Sequence, residues 1–217
     1  DGVELAKTDP AEPADVDYHC PLMSLPLALN TTIDKIPFQD GYLSCSPDEI
    51  KGWSDRLSGT TGLKIGIAWS GNANNENDRS RSMSLQTFLN GMPGGCALFS
   101  LQKDIPEQDR DLFEQTPHLQ HFGADLKQTA ALCMAMDIIV TVDTSIAHLA
   151  GALGQPVCLL LAYTPDFRWA LNRGDSPWYS SLRLYRQGQD RRWASVFADL
   201  RKDILNQYTS GDDGHET

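Results

Sequence analysis

The chain has 217 residues, 41% of them hydrophobic, and a formal net charge of -11. That length fits one large domain, or one domain with extensions, with enough apolar material for a substantial core. No apolar run approaches the ~20 residues of a membrane span, no signal-peptide pattern opens the chain, and no clustered basic face suggests a nucleic-acid groove. The acidity sits at the two ends: Asp1, Glu4, Asp9, Glu12, Asp15 and Asp17 against Lys7 at the start, and Asp212, Asp213 and Glu216 at the finish. Residues 1–17, without apolar period, read as an acidic linker or the end of a preceding domain, and residues 210–217 as a disordered tail. The chain opens on Asp1 rather than Met, as a fragment or a processed form does. Residues 18–209 read as the folded domain between these flanks.

The elements of that domain follow in chain order. Ser46-Pro47-Asp48-Glu49 carries a capping hydroxyl, a proline at the first helical position and acids in the first turn, so a helix is predicted to about Leu57. Leu63 to Ser70 is a buried strand, Ser84 to Asn90 a short helix and Cys96 to Gln102 a second strand. Pro106 to Gln115 is helical, Leu119 to Phe122 a third strand, and Leu126 to Met136 has helical spacing. Asp137 to Val142 is a fourth strand, Ser145 to Leu153 a helix, and Val157 to Ala162 a fifth strand. Leu182 to Tyr185 fits a sixth strand, and Trp193 to Tyr208 a closing amphipathic helix. Strands alternating with helices imply an α/β fold, a Rossmann-like parallel sheet with helices on both faces. Five cysteines (Cys20, Cys45, Cys96, Cys133, Cys158) lack C-x-x-C spacing and read as reduced core residues of a cytoplasmic protein.

In such folds ligands bind beyond the carboxyl ends of the strands, so those ends carry the chemistry. The fourth strand runs into Asp143-Thr144-Ser145 and then a helix, whose first amides and positive dipole end suit a phosphate. Thr144 and Ser145 can add hydroxyls, and His148 lies one turn in on the same face as Ser145. Asp143 repels phosphate, so its roles are helix capping or accepting from a ribose or sugar hydroxyl. The plainer alternative makes Asp143 and Thr144 mere caps and His148 a satisfied core histidine. Gly151 and Gly154 suggest close backbone packing and a helix end.

The first strand ends in Ser70-Gly71-Asn72, where Gly71 permits a tight turn with free amides, a candidate anion nest. Asp78-Arg79-Ser80-Arg81-Ser82 follows, and its arginines suit a diphosphate clamp, against the plainer reading of a solvated loop with a cap at Ser82 or Ser84. The second strand ends in Gln102-Lys103-Asp104, where Lys103 reaches a phosphate or sugar or is a surface lysine. Phe122-Gly123-Ala124 is a candidate wall for a base. Asp15 and Asp17 make a poor metal pair, and His118 and His121 point to opposite faces of a strand, so no metal is expected. Neither G-x-G-x-x-G after a strand nor a P-loop occurs, which argues against a dinucleotide oxidoreductase and a P-loop nucleotidase.

Several segments occur together in a recognisable order: Tyr18 to Pro26 (YHCPLMSLP), Ile65 to Asn72 (IGIAWSGN), Asp78 to Ser82 (DRSRS), Ser100 to Lys103 (SLQK), Val142 to Pro156 (VDTSIAHLAGALGQP), Asp166 to Trp169 (DFRW) and Asp175 to Tyr179 (DSPWY). This set resembles bacterial tetratricopeptide-repeat proteins that end in a glycosyltransferase domain similar to the heptosyltransferases of glycosyltransferase family 9. It is more distantly similar to O-linked N-acetylglucosamine transferases. The resemblance implies the C-terminal, donor-binding half of a GT-B fold. It implies that Asp143, Thr144, Ser145 and His148 contact the diphosphate and sugar of a nucleotide-sugar. It further implies that Ser70, Gly71, Asn72 and Arg81 line the same pocket, with Lys103 beside them, and that no metal cofactor is used. By the same likeness the general base is an acid in an N-terminal half, so these residues alone are expected to turn over little.

The expected function is therefore the donor half of a glycosyltransferase acting from a nucleoside diphosphate sugar. Its expected partners are the N-terminal half and the tetratricopeptide repeats of a parent protein. The competing reading is a non-catalytic GT-B-like binding or scaffold module, and a more distant one a nucleotide-sugar epimerase. Phe167 to Trp169 and Trp178-Tyr179 read as a stiff packed loop, or as an anchor for a chain crossing back to the other half.

Overall fold

The computed structural model describes residues 19–37, 39–72 and 78–208, with the backbone alone for Arg79. The expected linker at 1–17 and tail at 210–217 lie outside the described residues. The chain divides into two compact units, Asp1–Ile36 and Pro37–Thr217. The YHCPLMSLP segment therefore falls in the first unit, where a 3-10 turn, Leu22–Ser24, leads into a one-turn helix, α1 (Leu25–Ala28).

The second unit holds the alternating pattern. In chain order it contains α2 (Pro47–Arg56), β1 (Lys64–Ala68), α3 (Asp78–Arg81), α4 (Leu85–Gly91), β2 (Ala97–Ser100), α5 (Arg110–Glu114), β3 (Leu119–His121), α6 (Leu126–Met134), β4 (Ile138–Val142), α7 (Ser145–Ala152), β5 (Val157–Leu161), β6 (Leu182–Arg186) and α8 (Trp193–Tyr208). The six expected strands all form: β3, β4 and β5 are one residue shorter than expected, β1 and β2 three shorter, and β6 one longer. The helix expected over Pro106 to Gln115 begins as a 3-10 turn, Glu107–Asp109, before α5. Two local expectations change. Ser46 stands at the N-cap of α2 but its hydroxyl makes no capping bond, leaving Pro47 and the first-turn acids as the start signal. The segment read as a solvated loop contains the single turn α3. Ser84 does cap α4, accepting from Thr87 N at 3.2 Å.

The sheet runs β3-β2-β1-β4-β5-β6 and every pairing is parallel. Side chains alternate between two buried faces, which is why β4 and β5 read as unbroken apolar runs rather than as alternating ones. On one face Phe99, Ile139, Leu159 and Leu184 pack against Trp53 of α2 and Leu57 at its C-cap, Ala131 and Leu132 of α6, and Ala147 and Ala150 of α7. On the other, Ile65, Ile67, Val140 and Leu160 meet Leu85 and Phe88 of α4 and Val196, Phe197 and Leu200 of α8. Each fully buried Leu, Ile or Phe contributes about 1.5–3 kcal/mol. Two helical layers on one parallel sheet make the Rossmann-like α/β architecture.

α7 ends where the glycines place it. Gly154, at φ 74°, donates to Gly151 O at 3.0 Å, and Gln155 N donates to Ala150 O at 3.0 Å, the paired bonds of a Schellman cap. Gly151 lies under Tyr179: a Cβ there would approach the ring to 2.6 Å.

The cysteines are all free, but only Cys133 and Cys158 are buried; Cys45 and Cys96 are partly buried and Cys20 is exposed. The expectation of five core cysteines thus holds for two, whose thiols burial pushes up to about 12. Among the described residues no helix is long and apolar enough to cross a membrane.

Candidate functional site

The order of the sheet reverses direction between β1 and β4, which are hydrogen-bonded neighbours with Ala68 opposite Thr141. In open α/β sheets the crevice opens beyond the strand ends at such a reversal. The chain continuing from β1 is Trp69-Ser70-Gly71, and from β4 Asp143-Thr144. Two segments 73 residues apart in sequence, Ser70 and Asp143, are thereby brought to one edge.

The β1 side is built by two buried polar side chains. Gln102, just past β2, accepts from Trp69 N at 3.0 Å and from Ser70 N at 3.1 Å. Asp109 accepts from Trp69 Nε1 at 2.8 Å and from Leu85 N at 3.0 Å, tying the end of β1 to the start of α4. Gly71 N donates to Ser82 Oγ at 2.9 Å. The Ser70 and Gly71 amides are therefore already satisfied, and the free-amide nest expected there does not form. Nor does Gly71 have a positive φ. The glycine is required for space, since a Cβ would collide with the Asp78 carboxylate and come within 2.7 Å of an Arg81 guanidinium nitrogen. Arg81 lies over Gly71, paired to Asp78 with Nε 3.2 Å from Oδ1. That pair neutralises part of the charge expected of a clamp. Asn72 follows and is exposed, and Lys103, after β2, is exposed as well.

The β4 side is built by hydroxyls. Thr144, not Asp143, is the N-cap of α7, and its Oγ1 accepts from Ile146 N at 3.3 Å. Ala147 N donates to Thr144 O at 3.1 Å. Thr141 Oγ1 lies 3.1 Å from Thr144 Oγ1 and donates to Val142 O at 2.8 Å, holding the cap from below. Asp143 is 6% exposed and accepts no hydrogen bond among the described residues. Ser145, the first residue of α7, is exposed. Thr144 thus serves the fold, while Ser145 remains available to solvent.

His148 is half-buried within aromatic rings. It stacks on Trp169 with centroids 5.1 Å apart at 20°, and its Nδ1 lies 3.1 Å from Tyr179 Oη. Tyr179 in turn stacks on Tyr42 at 6.5 Å. His148 Nε2 is buried without a partner, as is Trp169 Nε1. Neither reading of His148 from the sequence is complete, for it is held at one nitrogen and unsatisfied at the other. Burial lowers the His148 pKa below the ordinary 6.5 and the Arg168 charge adds to this, against the carboxylates of Asp143 and Asp166. Burial also works against the Asp166 carboxylate, but bonds from Arg168 N and Nε (3.0 and 2.8 Å) and the Arg168 charge hold it below its usual range.

The loop carrying DFRW and DSPWY is packed, as its prolines and aromatics suggest. Trp169 is wholly buried, Trp178 Nε1 donates to Arg168 O at 2.7 Å, and Arg186 donates to Trp169 O at 2.6 Å. Ala170 completes the turn at φ 52° and ψ -168°, a conformation that favours glycine. At the β3 end, Phe122 packs inward on Trp53 and Phe99 with the Arg56 guanidinium 4.3 Å from its ring. The hollow lined by Gln102, His121, Phe122 and Gly123 measures only about 10 Å³, while Gly123 itself is exposed. A hollow of about 210 Å³ lies at the opposite, amino-terminal edge of β4, β5 and β6, lined by Ile138, Cys158, Tyr185 and Asp203.

Two histidines make stability pH-dependent. Burial lowers the pKa of His121 as it does that of His148. The unfolded chain therefore binds protons more readily, and stability should fall as pH drops below about 6.5. Urea unfolding across pH 7.5 to 5 should show it, with the slope reduced in the double variant His121→Gln/His148→Gln; an unchanged slope would assign the effect elsewhere.

Gln102, Asp109, Trp169 and Tyr179 complete the site's framework, and sequence reasoning gave them no part in a binding site. The segments SLQK, DFRW and DSPWY contain Gln102, Trp169 and Tyr179, and Asp109 alone lies outside them.

Protein FlbA of Caulobacter vibrioides is 27% identical over 192 residues, covering 82% of this chain and 31% of its own length. E. coli ADP-heptose lps heptosyltransferase II superposes with a TM-score of 0.51 at 19% identity, over 79% of this chain and 54% of that one. The chain thus spans about a third of the one relative and about half of the other, and the second likeness shows a shared fold. The stretch that carries β4, the Thr144-capped helix and the Trp169 and Tyr179 packing, residues 123–192, matches glycosyltransferase family 9 (heptosyltransferase).

Proposed function

We propose that this chain is the donor-binding half of a glycosyltransferase that transfers a sugar from a nucleoside diphosphate sugar. The observation that carries this reading is the adjacency of β1 and β4 at the sheet's reversal, which sets the Ser70-Gly71-Asn72 loop beside the start of α7. In this reading the diphosphate meets the positive end of α7, the Ser145 hydroxyl and the outer nitrogens of Arg81, with Lys103 nearby. Ser70, Gly71 and Asn72 form the floor, Thr144 holds the helix start, and His148 donates to the diphosphate or sugar. Asp143 accepts from a sugar or ribose hydroxyl. Charge developing on the leaving diphosphate is met by groups already in place, so no bound metal is required.

The general base that activates the acceptor is proposed to come from an N-terminal half outside these residues, in a parent protein with tetratricopeptide repeats. These residues alone then bind donor with little turnover. A cytoplasmic setting is proposed as well, supported by five free cysteines.

Calorimetric titration with UDP, ADP, GDP and their sugars tests the proposal. The ADP-heptose in the name of the E. coli structure makes ADP-sugars the first to try. Binding below millimolar by at least one nucleotide is expected, and none by any at millimolar concentration sinks the reading. His148→Ala should weaken binding about tenfold, the value of one charge-assisted hydrogen bond; unchanged affinity removes His148 from the site.

A further inference from the structure

His148 presents an imbalance that the donor-site reading leaves unexplained. One ring nitrogen lies 3.1 Å from the Tyr179 hydroxyl, and the other is buried without a partner. A buried donor left unsatisfied costs about 1–3 kcal/mol, so such groups call for an account. Tyr179 is itself held firmly: it is buried, it stacks on Tyr42, and its ring fills the space above Gly151. Trp169 fixes the imidazole plane from the other side. The ring is thus set in orientation by two rigid aromatics, and one hydroxyl decides which nitrogen carries the proton.

The direction of that bond follows from acid-base chemistry. A neutral imidazole has one N–H donor and one lone-pair acceptor. The Tyr179 hydroxyl also meets Tyr42, which offers only a phenol oxygen; the unprotonated imidazole nitrogen is a far stronger base, so the Tyr179 O–H donates to His148 Nδ1. The imidazole proton then resides on Nε2. Arg168 next to the ring opposes a second proton, while Asp143 and Asp166 favour one; burial and Arg168 prevail.

We infer that Tyr179 is a positioning residue whose hydroxyl fixes His148 as an Nε2–H donor, the unsatisfied N–H being the group that a diphosphate or sugar oxygen of the bound donor completes. The ligand part rests on the donor-site reading above; the assignment of the proton does not. A second-residue hydrogen bond that fixes a histidine tautomer is the device proteins use where one nitrogen must act with a set role. Here it makes the donor ready before ligand arrives, which lowers the cost of ordering on binding.

The test is nitrogen NMR of histidine-labelled protein at about pH 7.5, with His148→Gln assigning the signal. The wild type should show a protonated Nε2 and an unprotonated Nδ1 whose shift reports an accepted hydrogen bond. Tyr179→Phe keeps the ring and its stacking, and should move the Nδ1 signal away from the hydrogen-bonded position. The same variant should weaken UDP or ADP binding about fivefold, in line with one lost hydrogen bond. A proton on Nδ1 in the wild type, or an Nδ1 signal that Tyr179→Phe leaves in place, overturns the inference even if nucleotide binds. Normal proton placement with unchanged nucleotide affinity in Tyr179→Phe overturns its ligand part. Wild-type protein that shows the expected proton placement but binds no nucleotide refutes the donor-site reading instead.

Discussion

Replacing Asp109 with alanine is expected to lower the unfolding free energy by about 3 kcal/mol. Its carboxylate is 3% exposed and accepts from both Trp69 Nε1 and Leu85 N. Truncation leaves two buried donors without an acceptor, one at the tip of β1 and one in the first turn of α4. Bonds to a charged acceptor are the stronger kind, and leaving their donors unmatched in the interior costs more than the bonds contribute net. Asp109→Asn should recover part of the loss, because its single carbonyl oxygen can serve one donor well. Urea unfolding measures both. A loss under about 1 kcal/mol for the alanine variant would show that water replaces the carboxylate. The proposed nucleotide site should suffer with the fold, since Trp69 leads directly into Ser70 and Gly71.

Trp169→Ala should cost about 3–5 kcal/mol, the usual range for a large aromatic removed from a core. The ring is wholly buried and stacks on His148, so the cavity opens directly beside the site. The effect on binding separates this residue from an ordinary core position. At a temperature where the variant remains folded, affinity for ADP or UDP should fall at least tenfold, because the imidazole loses the surface that fixes its plane. Trp169→Phe should restore much of that affinity. Nucleotide affinity that survives the alanine change would mean that the aromatic wall serves stability alone.

Asp109 also shows where reading from sequence runs out. Asp109 sits among Glu107, Gln108, Arg110 and Asp111, and nothing in that polar run distinguishes it from a solvated acid. Its role depends on where the ends of β1 and α4 arrive, and Leu85 is 24 positions away. Nothing in the sequence marks out Gln102 beside the charged Lys103, because the amide's two contacts require β1 and β2 to be neighbours. Gly71 suggests freedom to turn in the sequence, whereas the folded chain needs it small, to admit Asp78 and Arg81. Thr144 and Asp143 could not be told apart as caps, because either side chain can serve an N-terminus; the observed backbone places Thr144 there.

The sequence by itself determined the six strands, most of the helices between them, the end of α7 at Gly154 and the polar character of the strand ends. These follow from local preferences: β-branched and leucine runs, helical spacing, and glycine's access to positive φ. The order β3-β2-β1-β4-β5-β6 was decided only by tertiary structure. Alternation alone does not say which strands pair, so it does not locate the reversal between β1 and β4 where the crevice opens. The same holds for His148. One turn of helix spacing put it near Ser145, but its state depends on Trp169 and on Tyr179, 31 positions away, and only packing brings those rings together.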